Sequence, residues 1–203
     1  MTAAFLVPGF SPNKTFSDPD LDELKQEMAV RDVLLEGVID GWGEHSVHKF
    51  GQLAVEQSKR SMYDGILIGH SLGALAALSV IDQMSVRHLV LCSPSALFSE
   101  DIHTNIDPIL AQRIGEKRVQ ELASFSAASA ISSINHLDIS TTILFGEKER
   151  ELHPNLVARS TQLASEIGCV ELFEVPGAAH FIGANPYASE LARIISRIAT
   201  IHR

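Results

Sequence analysis

Short apolar runs alternate with amphipathic stretches along almost the whole chain. Ala3–Val7, Val33–Ile39, Gly65–Ile68, His88–Cys92, Thr141–Phe145 and Val170–Val175 are rich in aliphatic and β-branched residues. With little polar alternation they read as strands, most of them buried on both faces. Between them, apolar residues recur at helical spacing. Leu21, Leu24 and Met28 mark a helix that Asp18 or Asp20 can cap, with Glu23 three residues after Asp20. Phe50, Leu53 and Ala54 follow Ser46, a residue suited to an N-cap, and predict a helix to about Lys59. Small and apolar residues from Leu72 predict one to about Met84. From Ala96 to Ser140 there is no strand pattern. Ile109, Ile114, Val119, Leu122 and Phe125 predict an amphipathic helix interrupted at Gly115, and Ala127–Ile134 a second. Pro154 is placed to open a helix reaching about Ile167, and Leu191, Ile194, Ile195 and Ile198 stripe a last one from Tyr187 to about Thr200. Strand and helix in alternation imply crossover connections and a parallel sheet, whose binding groups gather at the carboxyl ends of the strands.

One of those ends stands out. Ile68-Gly69-His70-Ser71-Leu72-Gly73 joins a buried strand to a small-residue helix, with Gly two residues before and two residues after Ser71. In a strand-to-helix turn this sharp, the serine is held in strained backbone geometry and exposed beside a helix N-terminus, while side chains at the glycines would collide with the neighbouring turn. Hydroxyl attack on an acyl carbon needs a base. Of the 9 histidines, His180 is the best placed, in a small-residue loop after the last strand. His70 adjoins Ser71 but is expected to point away, and His45 and His48 share a helical face without a third metal ligand in view. The imidazole in turn needs a carboxylate. Glu149 and Glu151 both follow the fifth strand, giving the order serine, acid, histidine. The oxyanion donors expected by position are the N–H groups of Leu72 and Phe10, the latter after Gly9 at the end of the first strand, with the Ser11 hydroxyl nearby.

Composition narrows the picture. A chain of 203 residues suits one domain with a full core. It is 45% hydrophobic and 20% charged, with no run long enough to span a membrane. A formal charge of −9 with scattered basic residues argues against nucleic acid and favours a small-molecule substrate. Cys92 and Cys169 lie in or beside strand-like runs and read as buried free thiols, and the N-terminus reads as a first strand and not a signal peptide, which places the protein in the cytoplasm.

Four segments, in order, resemble the α/β-hydrolase family. They are Val7-Pro8-Gly9-Phe10 as an oxyanion loop, Asp40–Ser46 as the turn after the next strand, Gly69–Gly73 as the nucleophile elbow, and Val175–Phe181 as the histidine loop. Leu144–Glu149 adds the acid loop, so the resemblance spans nearly the whole chain. It implies an α/β three-layer sandwich over residues 1–203 with a roughly six-stranded, mainly parallel sheet, and a small helical cap over 96–136. Ser71, His180 and Glu149 would be the triad. Leu97, Phe98, Phe181 and Trp42 would join Ser11 in lining the pocket. The family usually has Asp at the place of Glu149, so Glu151 stays open as the acid. The two antiparallel strands that open many members, and the histidine before the oxyanion-loop glycine, have no counterpart here. The function implied is a serine hydrolase acting on a small carboxylic ester or thioester, without cofactor or metal. The alternatives are the same triad used for carbon–carbon cleavage, elimination or acyl transfer, and a low-turnover ligand-binding module.

Overall fold

A computed structural model of the chain describes residues 2–11, 15–99, 106, 108–168 and 170–201. Pro12 of the first loop, Cys169, and 100–105 and 107 of the anticipated cap therefore lie outside the described residues. Six strands form one sheet: β1 (Thr2–Val7), β2 (Val33–Gly37), β3 (Ile66–His70), β4 (His88–Cys92), β5 (Ser140–Gly146) and β6 (Val170–Val175). Every pairing is parallel, in the order β2-β1-β3-β4-β5-β6.

Successive side chains on the central strands go to opposite faces, and both faces are covered. Phe5, Val7, Leu67, Leu89, Leu91 and Ile143 enter one core, and Ala4, Leu6, Ile66, Ile68, Val90 and Leu144 the other. The first core is closed by α2 (Val47–Ser58) and α3 (Leu72–Leu78), the second by α1 (Asp22–Ala29) and α9 (Tyr187–Ile201). Ser46 caps α2, its hydroxyl accepting from Lys49 N–H at 3.2 Å. Asp18 and Asp20 do not cap α1. A 3-10 turn, Pro19–Leu21, precedes that helix, and Asp18 instead accepts from Thr15 N–H.

The helix expected from Leu72 to Met84 stops at Leu78. The Ser79 hydroxyl bonds back to Ala76 O, and a 3-10 turn at Ile81–Gln83 then swings Val80 and Ile81 fully into the interior. The stretch between β4 and β5 carries α4 (Pro108–Ile114), α5 (Glu116–Leu122) and α6 (Ala127–His136). Gly115, at φ +87°, breaks α4 from α5 where a residue with a Cβ would be strained. Ile114, Leu122, Ala127, Ala130, Ile131 and Ile134 bury into the first core, so these helices are fastened to the body of the fold. Helices α7 (Glu149–Leu152) and α8 (Pro154–Glu166) complete the chain between β5 and β6. No helix among the described residues is long and apolar enough to cross a membrane.

The chain moves outward from β1 to β2, then returns to the other side of β1 to form β3. The carboxyl ends of β1 and β3 lie in register, Val7 beside Gly69. A crevice opens where the order of a parallel sheet reverses in this way.

Candidate active site

Ser71 follows β3 directly at that reversal. Its φ of 53° and ψ of −123° lie outside the regions favoured by L-residues, and its N–H is held by Cys92 O at 3.0 Å. The elbow is pressed against the loop after β1. A Cβ on Gly73 would come within 2.3 Å of both Val7 O and Pro8 O, and one on Gly9 within 3.2 Å of Ser71 Cβ. Glycine is thus required at Gly73 by close approach of backbone to backbone.

The loop after β6 brings His180 over Ser71, Nε2 to Oγ 3.0 Å, and the other ring nitrogen, Nδ1, lies 2.5 Å from Glu149 Oε1. With the carboxylate ionised, Nδ1 carries the proton and Nε2 accepts from the serine hydroxyl. Glu149 is fully buried. Its second oxygen accepts from the Ser93 hydroxyl at 2.7 Å and from Gly146 N–H at 2.6 Å. Burial pushes the pKa of this carboxyl up. Hydrogen bonds from His180, Ser93 and Gly146, and the charge of His180, outweigh burial and hold it below the ordinary carboxylate value. The three neighbouring glutamates have separate places. Glu147 accepts from Gly177 N–H at 2.7 Å and shapes the histidine loop, Glu149 meets His180, and Glu151 is exposed.

Two supporting residues, Ser93 and Tyr187, carry no signal in the sequence. Ser93 adopts φ 46° at the end of β4, and its hydroxyl is also 3.1 Å from Tyr187 Oη, which donates to Leu144 O. A serine in a Ser-Pro-Ser turn and a tyrosine opening a helix announce nothing of this. His70 does point away from Ser71, as expected. Its Nε2 lies 2.9 Å from His180 O, and the ring is buried. Burial first, and the charge of His180 second, lower its pKa to about 3, so it is a neutral imidazole whose Nε2–H donates to the backbone of the histidine loop.

Phe10 and Leu72 both border the site, and among the described residues neither N–H donates to a backbone carbonyl. They open on a cavity of about 800 Å³ that contains Ser71 and His180 in its wall. Ser11, Leu97 and Phe181 line it, with Ile109, Leu110 and Arg113 from α4 and Leu152 and His153 from the segment after β5. Trp42 and Phe98, expected in the lining, are not there. Trp42 is fully buried behind the loop after β1, stacked on Phe50 at 3.9 Å between centroids, and its Nε1–H is shared between Pro8 O and Gly9 O at 3.1 and 3.0 Å. Phe98 turns into the core and stacks on Phe125 at 5.6 Å. Large apolar surface is removed from water more completely in the core than at a cavity wall. Among the described residues no group of three or more His, Cys, Asp or Glu side chains is arranged to hold a metal ion.

The arrangement can pass a proton from a serine hydroxyl to an imidazole braced by an ionised carboxylate, beside backbone donors able to face a developing oxyanion. The sequence matches no family model and no curated protein. Solved structures do match. Est1E from Butyrivibrio proteoclasticus is 15% identical with a TM-score of 0.72, over 98% of this chain and 87% of that one. The monoacylglycerol lipase of Paleococcus ferrophilus is 16% identical with a TM-score of 0.65, over 99% and 95%. The esterase domain of a Rhodothermus marinus protein is 12% identical with a TM-score of 0.64, over 98% and 85%. All-parallel sheet, elbow, acid loop and histidine loop thus occur together in a chain that has the α/β-hydrolase fold.

Proposed function

We propose that the protein is a serine hydrolase that cleaves small carboxylic esters or thioesters through an acyl-enzyme on Ser71. The observation that carries this reading is the unbroken hydrogen-bond chain from Glu149 through His180 to Ser71 Oγ at the wall of the cavity. Ser71 Oγ attacks the acyl carbon and its proton passes to His180 Nε2, while the carbonyl oxygen, now negative, faces the N–H groups of Phe10 and Leu72. Glu149 stabilises the imidazolium that forms. When the tetrahedral adduct collapses, the leaving alcohol or thiol departs with the proton from His180. A water molecule then attacks the acyl carbon by the same route and frees the acid. The esterase and lipase names of the structural neighbours support this chemistry, and Est1E has been solved with ferulic acid bound.

The test is turnover of p-nitrophenyl acetate and butyrate together with labelling by a fluorophosphonate probe. Both are expected in the native protein and both are expected to vanish in Ser71→Ala. Labelling of Ser71→Ala at full strength would defeat the assignment.

A further inference from the structure

Arg118 is a cation set where solvent barely reaches it, 7% exposed on α5. Its Nε donates to His45 O at 2.7 Å, Nη1 to Ile114 O at 2.6 Å and Nη2 to Gly43 O at 2.5 Å. The guanidinium therefore ties three points, the end of α4, its own helix and the loop after β2. Its face is engaged as well. The Phe10 ring lies 4.7 Å beneath the guanidinium carbon and the Trp42 ring 5.8 Å from it, and the two rings meet edge to face at 5.7 Å. Trp42 in turn donates to the carbonyls of Pro8 and Gly9, so every residue of the loop from Pro8 to Phe10 is gripped by this cluster. One turn further along α5, the Glu121 carboxylate accepts from Val47 and His48 N–H at 2.6 and 2.8 Å, fastening the same helix to the start of α2, and its charge also acts on Arg118.

We propose that Arg118 is a positioning residue for the oxyanion site, acting through Phe10 and Trp42 to fix where the Phe10 N–H points. The inference rests on the reading of Ser71 as a nucleophile. A planar guanidinium can donate in its plane to three carbonyls while its face covers an aromatic ring, which an ammonium cannot do. Gly9, just before Phe10, leaves the loop backbone free to rotate, and the clamped ring removes that freedom. An oxyanion donor works only when aimed at the place the negative oxygen will occupy, and a displacement of about 1 Å costs on the order of 100-fold in rate.

Three variants, Arg118→Gln, Arg118→Lys and Glu121→Gln, separate positioning from scaffolding. With p-nitrophenyl butyrate, Arg118→Gln is expected to lower kcat by roughly 10- to 100-fold with KM changed less than about threefold, because the donor acts on the transition state. Inhibition by butylboronic acid, which mimics the tetrahedral oxyanion, should weaken in parallel. Arg118→Lys should fall between the two, and Glu121→Gln should keep its kcat even where its melting temperature falls. Trp42 is the sole tryptophan, so acrylamide quenching of its fluorescence reads the clamp independently of turnover, and it should rise in Arg118→Gln. Should that variant not fold, Arg118→Lys carries the same comparisons. A folded variant with kcat within twofold of native, with unchanged quenching, or with a loss matched by Glu121→Gln at equal stability, would overturn the proposal. Native protein with no ester turnover and no labelling of Ser71 would instead defeat the reading of the nucleophile.

Discussion

Glu149 carries one methylene more than the aspartate usual at the corresponding place of the family that the sequence resembles, and the geometry shows where that length goes. The side chain starts at the first residue of α7 and folds back, one oxygen on Gly146 N–H and the Ser93 hydroxyl, the other on His180. Replacing Glu149 by Gln keeps the shape and removes the charge that sets the imidazole tautomer, so kcat for p-nitrophenyl butyrate should drop by about 10³ to 10⁴. Glu151→Gln should stay within about twofold, as expected of an exposed charge. The sequence left these two glutamates undecided because they differ only in helical phase, and the phase is set by where α7 begins. His70 offers a separate test at this scale. Its pKa is about 3 in the folded protein, against an ordinary value of 6.5. Between those values the unfolded chain holds a proton that the folded chain does not. Stability is therefore lost as pH falls from 6.5 toward 3, by at most about 1.4 kcal/mol per pH unit, and above 6.5 the contribution is constant. In His70→Gln, urea unfolding between pH 7 and pH 4 should show a shallower loss by about that slope.

Among the elements, the elbow leaves little room for change. At Gly73 the atoms that a Cβ would strike are the backbone carbonyls of Val7 and Pro8, which belong to a central strand and the loop that follows it. Gly73→Ala must therefore part α3 from β1, and a loss of about 1–3 kcal/mol is expected in urea unfolding, together with loss of esterase activity. Strand positions and the elbow were legible because a doubly buried strand has to be apolar throughout, and because the turn demands glycine on both sides of its serine. The end of α3 was not. Its small and apolar residues continue past Leu78, and only the packing of Val80 and Ile81 turns the chain there. Gly115, by contrast, announced the break between α4 and α5 correctly, since a positive φ has a residue type of its own.

At the scale of the molecule, alternation of strand and helix was enough to fix a parallel sheet and to send the catalytic candidates to one end of it. It could not say which aromatic residues face the cavity. Trp42 and Phe98 carry the same apolar character as Leu97 and Phe181, and their burial depends on ring contacts with Phe50 and Phe125 that apolar character alone does not announce. What remains around Ser71 is a roomy, mostly apolar cavity. Its outer wall holds Ile109 and Leu152, 75% and 63% exposed. Burial of each added acyl methylene contributes about 0.8 kcal/mol. Along p-nitrophenyl acetate, butyrate and hexanoate, kcat/KM should accordingly rise by roughly fourfold per methylene, flattening once the chain reaches those exposed residues. A profile flat from acetate onward would show that the acyl group does not occupy this cavity.

The backbone of Ser71 has one more consequence. Its φ of 53° with ψ of −123° suits glycine better than any residue bearing a Cβ, and such a conformation commonly costs about 1–3 kcal/mol. The Ser71 hydroxyl is therefore held beside His180 at the expense of thermal endurance. Ser71→Gly, inert as an esterase, should melt at a higher temperature than the native protein.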